Sequence, residues 1–318
     1  MKKSFYLLVL LTFVVMGCKN EDKIEAEVKK IPLVVQVSRF DNEFAKATPS
    51  DIPKLRKEYP YFFPAPDSVW VAKLQDSLQI ELRGEVMDEF SDFENEVADI
   101  ELLFKYIKYY FPKYSAPKII TVTNDVDHEN RIILTDTLLL VGLDNYLGAD
   151  HRYYTGIQKY IAAGMDRKYI VSDIANAYAQ KIVPRLQGRT FLDRMIYYGK
   201  ILYLKDKIMP FQTDGQKINY SEDELAWAMA NEEPMWRHFI ERELLYSTDN
   251  KLTLRFLDPA PFSKFGLELD NESPGRLGRY VGWRIVRSFM NKNEVSLQQL
   301  MNLPAEDIFK KSNYKPNK

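Results

Sequence analysis

The sequence is short of the residues on which most recognisable chemistry rests. Of its 318 residues, one is cysteine and three are histidine. A single cysteine, Cys18, excludes an intramolecular disulfide. Beyond it there is no Cys/His cluster, so a structural zinc site lacks its ligands. Glycine is also scarce, at 13 residues. The sequence contains no phosphate-cradling P-loop, dinucleotide fingerprint or Gly-x-Ser-x-Gly elbow. The formal net charge is −1, from 44 basic and 45 acidic residues. Such a balance gives no overall field for nucleic acid, which is not expected as a partner. No apolar run reaches the roughly 20 residues needed to span a bilayer. What is present is a chain 46% hydrophobic and 28% charged, the composition of a folded globular protein.

The N-terminus carries the first positive signal. Lys2 and Lys3 precede an apolar run from Ser4 to Met16, followed by Val15-Met16-Gly17-Cys18. This is the layout of a secretory signal peptide. Cleavage after Gly17 leaves Cys18 as the first mature residue, as in bacterial lipoproteins. Residues 1–17 are therefore expected to be a lipoprotein signal peptide, and Cys18 the lipidation site. Acyl chains contribute ~0.8 kcal/mol per buried CH₂, enough for several together to hold a domain on a membrane. Between Lys19 and Lys30 eight of twelve residues are charged. Residues 18–31 thus read as a lipidated cysteine and solvated tether, and 32–318 as one globular domain. The expected location is the cell envelope, with the leaflet not legible.

Periodicity gives an α+β fold, mostly helical with a small sheet. Strands are expected at Pro32–Val37, Lys118–Thr123, Arg131–Thr135 and Thr137–Leu143, and a short one at Leu252–Leu257. They suit a meander or a small mixed sheet. The polar segment Asn124–Asn130 reads as a hairpin turn. Its Asp125/Asp127/Glu129 spacing resembles a calcium loop, but Asn130 and Asp136 occupy the required glycine and glutamate positions. Helices are expected over 69–93, 100–111, 152–163, 168–182, 190–208, 222–229, 233–246 and 274–290. Ser221 and Glu224 form a capping box. The aromatic, proline-rich Pro60–Pro66 reads as an ordered segment packed on the core, or else as an exposed partner motif.

Three groups of residues are candidates for function. His128-Glu129 begins like a zinc-peptidase motif, but Ile132 stands where the second histidine belongs, so no metal ligand set and no cofactor is expected. Arg189 to Lys200 puts charge, tyrosines and a glycine into one helix. It reads as a buried helix with Asp193 paired to an arginine, or as the wall of a cleft formed with Asp144, Tyr146, Asp193, Tyr197 and Tyr198. Gly199 costs roughly 1 kcal/mol inside a helix, which close packing would justify. On the C-terminal helix, Arg276, Arg279, Tyr280, Trp283, Arg284 and Arg287 share one face, opposite apolar Leu277, Val281, Ile285 and Phe289. Arginines among aromatics fit a partner surface. They also fit an internal network with acids such as Asp270 and Glu272.

Three stretches carry a family resemblance: Val37-Ser38-Arg39-Phe40-Asp41, Leu143-Asp144-Asn145-Tyr146-Leu147-Gly148 and Ser273-Pro274-Gly275-Arg276-Leu277-Gly278-Arg279-Tyr280-Val281-Gly282-Trp283. With the lipoprotein signal, they resemble the gliding motility lipoprotein GldB family. The resemblance implies an envelope lipoprotein required for gliding, working with other proteins of the gliding and secretion machinery. Thr190–Gly199 and Pro274–Trp283 also resemble, more distantly, a predicted peptidase family of zincin type. That family has HExxH on an upstream helix and a glutamate before the glycine. Here Ile170–Ala179 has no histidine, and Tyr198 takes the place of the glutamate. The resemblance implies a former peptidase scaffold without its metal, and Asp173→Asn is expected to leave gliding largely intact. The alternative is an envelope hydrolase acting on peptide or cell-wall material through Asp144 and Asp193.

Overall fold

A computed structural model describes residues 23–266 and 270–317. Cys18 and the expected signal peptide lie outside them. A four-stranded mixed sheet has the order β1-β2-β4-β3, with β1 at Val37–Arg39, β2 at Lys118–Val122, β3 at Ile132–Leu134 and β4 at Leu138–Gly142. β1 and β4 both run parallel to β2, and β3 pairs antiparallel with β4 alone. The helices, in chain order, are α1 (Phe40–Ala45), α2 (Ile52–Glu58), α3 (Asp67–Gln75), α4 (Ser77–Glu89), α5 (Glu94–Tyr110), α6 (Lys159–Ala162), α7 (Ile170–Ile182), α8 (Phe191–Ile208), α9 (Asp214–Ile218), α10 (Glu222–Ala230), α11 (Glu232–Glu241), α12 (Lys251–Phe256), α13 (Leu277–Lys292), α14 (Leu297–Asn302) and α15 (Ala305–Ser312).

The expected α+β architecture is present, and its central strands follow from the alternation of their side chains. Ile119, Leu139 and Val141 face a large helical core, while Ile120, Leu138 and Leu140 face a second, aromatic cluster. That cluster holds Phe40, Phe44, Tyr59 and Phe63. The proline-rich segment is therefore packed on the sheet, as the first of its two readings had it. The N-terminal family motif fixes this corner. Arg39 donates to the Asp41 carboxylate at 2.8 Å and to Phe90 O at 3.0 Å, and the Thr121 hydroxyl donates to the same, almost fully buried Asp41.

Several expectations are corrected. Asn124–Asn130 is not a hairpin turn, because β4 lies between β2 and β3. Leu252–Leu257 is helix α12, not a strand. Asp76 divides the expected 69–93 helix by capping α4 through Gln79 N at 2.9 Å. In place of a 152–163 helix there are a 3-10 turn at Arg152–Tyr154 and the short α6, separated at Gly156 with φ +99°. The charged tether is not wholly solvated. Residues 23–28 are helical, and Val28 is fully buried in the main core.

The centre of the molecule is the crossing of α8 and α13. A Cβ on Gly199 would lie 2.4 Å from Gly282 O, and one on Gly282 only 2.0 Å from Met195 O. The two backbones touch here, which accounts for the glycine inside α8. Thr190 and Asp193 form a capping box that starts α8. The Ser221/Glu224 box starts α10 as expected.

Candidate functional site

The polar centre of the fold lies on α7. Its apolar residues Ile170, Val171, Ile174, Ala175 and Tyr178 face the core, which leaves Asp173 on the flank. Arg131 Nε lies 2.9 Å from Asp173 Oδ2, and the Tyr146 hydroxyl donates to the same oxygen at 3.0 Å. Asn219 Nδ2 donates to Oδ1 at 3.2 Å. Asn219 is left-handed, at φ 57°, in the turn between α9 and α10. Its side-chain oxygen accepts from Ser172 Oγ at 3.1 Å, and Ser172 in turn accepts from the buried Lys205 ammonium at 2.8 Å. Burial opposes the charge on Arg131, but Asp173, Tyr146 and Tyr154 together hold its pKa above the ordinary value. The Tyr146 phenol is pushed well up, by burial first and by Asp173 second. Burial pushes Lys205 down to about 7, against the favourable pull of Asp173.

A cavity of about 320 Å³ opens beside this network. Arg131, Asn219 and Arg276 line it, with His128, Tyr160 and Gly164. Arg276 is left-handed at φ 62°, where the chain turns into α13. Its guanidinium donates to Asn219 O at 2.8 Å and stacks 5.3 Å from the Tyr220 ring centre. The central and C-terminal family motifs thus meet, through Tyr146, Asp173, Asn219 and Arg276.

The residues expected to form one cleft are separated. Asp144 is fully buried and accepts from Asn124 N at 3.0 Å and Val126 N at 2.7 Å. It thereby fixes a loop in which Asp125 and Val126 are both left-handed. Burial raises its pKa to about 6, against the effect of these amides. Asp193 is not paired with an arginine: Oδ2 accepts from Thr190 N at 2.9 Å and from the Thr190 hydroxyl. Asp193 and Tyr197 line a separate cavity of about 230 Å³ with Lys200. Tyr198 lies under Arg279, 4.0 Å from guanidinium carbon to ring centre.

The Arg/aromatic face of α13 is turned inward, which corrects its reading as a partner surface. Tyr280 and Trp283 are buried. Arg287 pairs with Asp206 and Asp214, each at 2.6 Å, and Trp283 Nε1 also donates to Asp206. Arg284 Nε lies 3.1 Å from Glu232, and Arg279 donates to Leu257 O. The network is the internal one, but its acids are Asp206, Asp214 and Glu232 rather than Asp270 and Glu272. Asp270 instead accepts from Phe265 N and Gly266 N.

Sequence reasoning missed Arg131, Asn219, Lys205 and Glu232. Lys205 had a signal, since it follows the apolar run Ile201–Leu204 inside a helix. Glu232 had none: it is fully buried, 3.1 Å from the Tyr280 hydroxyl and 2.8 Å from that of Tyr314, which reaches it from the C-terminal segment. Among the described residues, no group of three or more His, Cys, Asp and Glu is placed to hold a metal ion. Nor is any helix there long and apolar enough to cross a membrane.

The chain belongs to the gliding motility protein GldB family, whose family model matches residues 21–316. No curated protein and no solved structure matches it. Membership places the chain in gliding motility, among the proteins of a larger machinery.

Proposed function

We propose that this chain is a lipid-anchored, non-catalytic component of the gliding machinery, held on an envelope membrane through Cys18. The observation that carries the non-catalytic part is the use made of the carboxylates. Asp144 and Asp193 are the acids the hydrolase alternative names, and Asp173 is the acid of the polar centre on α7. Asp144 is fully buried against two backbone amides, Asp193 closes a helix cap, and Asp173 is saturated by Arg131, Tyr146 and Asn219. A general acid or base must reach the proton it transfers. A raised pKa at Asp144 does not supply that reach. Descent from a zincin-type scaffold, with its metal ligands replaced, is part of the same proposal.

The docked 23–28 segment supports a specific geometry for the anchor. Lys23 stands five residues after Cys18. Even fully extended, five residues span only about 18 Å. The domain is then held close to the bilayer rather than on a long tether. Changing Cys18→Ala in the native bacterium tests the proposal. The protein should leave the membrane fraction or fail to mature, and gliding should stop. Normal gliding on a soluble, unlipidated form would overturn it. Stoichiometric zinc or chelator-sensitive hydrolysis by the pure protein would overturn the non-catalytic part alone.

A further inference from the structure

Two arginines line the cavity beside Asp173, and only one of them is paired with a carboxylate. Arg131 is matched by Asp173. Arg276 has a backbone carbonyl and an aromatic ring as its partners, and makes no ion pair with any acid among the described residues. Two other carboxylates line the cavity. Glu224 is engaged at its own helix cap, accepting from Ser221 N at 2.8 Å, and Glu129 is exposed at the rim. Behind the wall lies Lys205, joined to the site through Ser172 and Asn219. Arg276 also sits at the N-terminal end of the 16-residue α13, the positive pole of its dipole. Its guanidinium is held in place by a strained left-handed backbone, by the Asn219 carbonyl and by Tyr220. Holding a cation this way, half-buried and without a counterion, is costly unless a ligand supplies the negative charge.

We propose that this cavity binds an oxyanion, a carboxylate or phosphate group, at Arg276 with Arg131 beside it. A space of about 320 Å³ fits a small molecule or the terminal group of a larger one. The Asp173 network positions Arg131, and Asn219 joins the two arginines by accepting from Arg276 and donating to Asp173. The site is independent of the lipid anchor and makes its own prediction whether or not Cys18 is modified.

The test is titration of the mature full-length protein in detergent with inorganic phosphate and with acetate. Ionic strength is held constant with chloride, and binding is followed by calorimetry and thermal unfolding. Wild-type protein should show saturable binding, and whichever anion binds more tightly gives the ligand class. Arg276→Asn removes the cation but keeps a residue that tolerates the left-handed backbone. It should weaken binding at least ~10-fold, the loss expected for one charge-assisted hydrogen bond. Glu129→Gln, at an exposed position that should not disturb folding, ought to tighten binding by relieving repulsion at the rim. Absence of a saturable response beyond chloride, or unchanged affinity in both variants, overturns the site.

Discussion

Replacing Gly282 by alanine sets two known effects against each other. Alanine is favoured over glycine in a helix interior by about 1 kcal/mol, so propensity alone predicts stabilisation. The new Cβ, however, would stand 2.0 Å from Met195 O and 2.6 Å from its carbonyl carbon. Both are backbone atoms of α8 and cannot rotate away. Restoring ordinary contact requires α8 and α13 to separate by more than 1 Å at their crossing, which loosens the most extensive helix–helix contact of the described residues. Overpacking of this kind costs about 1–3 kcal/mol, and more where backbone must move. The net effect should be a loss of at least ~2 kcal/mol, read as a lower urea midpoint at unchanged slope. Gly84, inside α4, is the internal control, since a Cβ there meets nothing within 4 Å. Gly84→Ala should be neutral or stabilising by up to ~1 kcal/mol. If Gly282→Ala proved as stable as wild type, the helices would not be in backbone contact and the reasoning would fail.

Arg287→Gln should lower the melting temperature, at a cost of roughly 1–3 kcal/mol, since Asp206 and Asp214 lose the guanidinium and keep only Lys217, 3.4 Å from each, with Trp283 on Asp206; a change within ~0.5 kcal/mol would return this face to the surface. Asp173→Asn should also destabilise by a few kcal/mol in urea unfolding, by leaving Arg131 without its counterion. Lys205→Met should raise stability at pH 7 and flatten its pH dependence. The folded amine titrates near 7 and the unfolded one near 10.5, so the unfolded chain binds more protons between those values. Wild-type stability should therefore rise with pH through that window, with the full penalty below it, and melting curves of both proteins at pH 7 and pH 9 read the difference. Lys200, pushed down to about 8 by burial, adds a slope of the same sign in both proteins.

What could be read from the sequence was what local chemistry decides. The Ser221/Glu224 box, the α7 periodicity and the β-branched runs of β2 and β3 each specify their element within a few residues. Gly199 announced a close approach, though not its partner. The failures came where a pattern fits two periods. Leu252, Leu254 and Phe256 alternate like a strand, yet Leu254 is 65% exposed while Leu252 and Phe256, four residues apart, are buried. Burial of an i, i+4 pair is a helical signature, and only the structure shows which of the three are inside. Pairing in the sheet was hidden for a different reason. β1 is placed by its hydrogen bonds to Ile119–Thr121 rather than by its own apolar run, and Val34 of that run is 81% exposed.

The α13 face shows the limit of a helical wheel most directly. A wheel separates apolar from polar residues, and it takes the polar side to be the wet one. That inference holds for a helix with one neighbour. α13 is packed against α8 on one side and α15 on another, while α9 and α11 supply acids to its arginines. A helix surrounded in this way can keep arginines only if each finds an acceptor. Asp206 and Asp214, with the Leu257 and Asn219 carbonyls, are those acceptors, and Glu232, 3.1 Å from Arg284 Nε, is the counterion of Arg284. They lie between 22 and 81 residues away along the chain, which puts them beyond any local pattern. Arg276 differs from Arg284 and Arg287 in one respect: its acceptor is a neutral carbonyl, and the cavity in front of it is open. Arg279 likewise has a carbonyl and a ring but no acid, yet it is packed on Tyr198, whereas Arg276 lines an open cavity where a ligand can meet its charge.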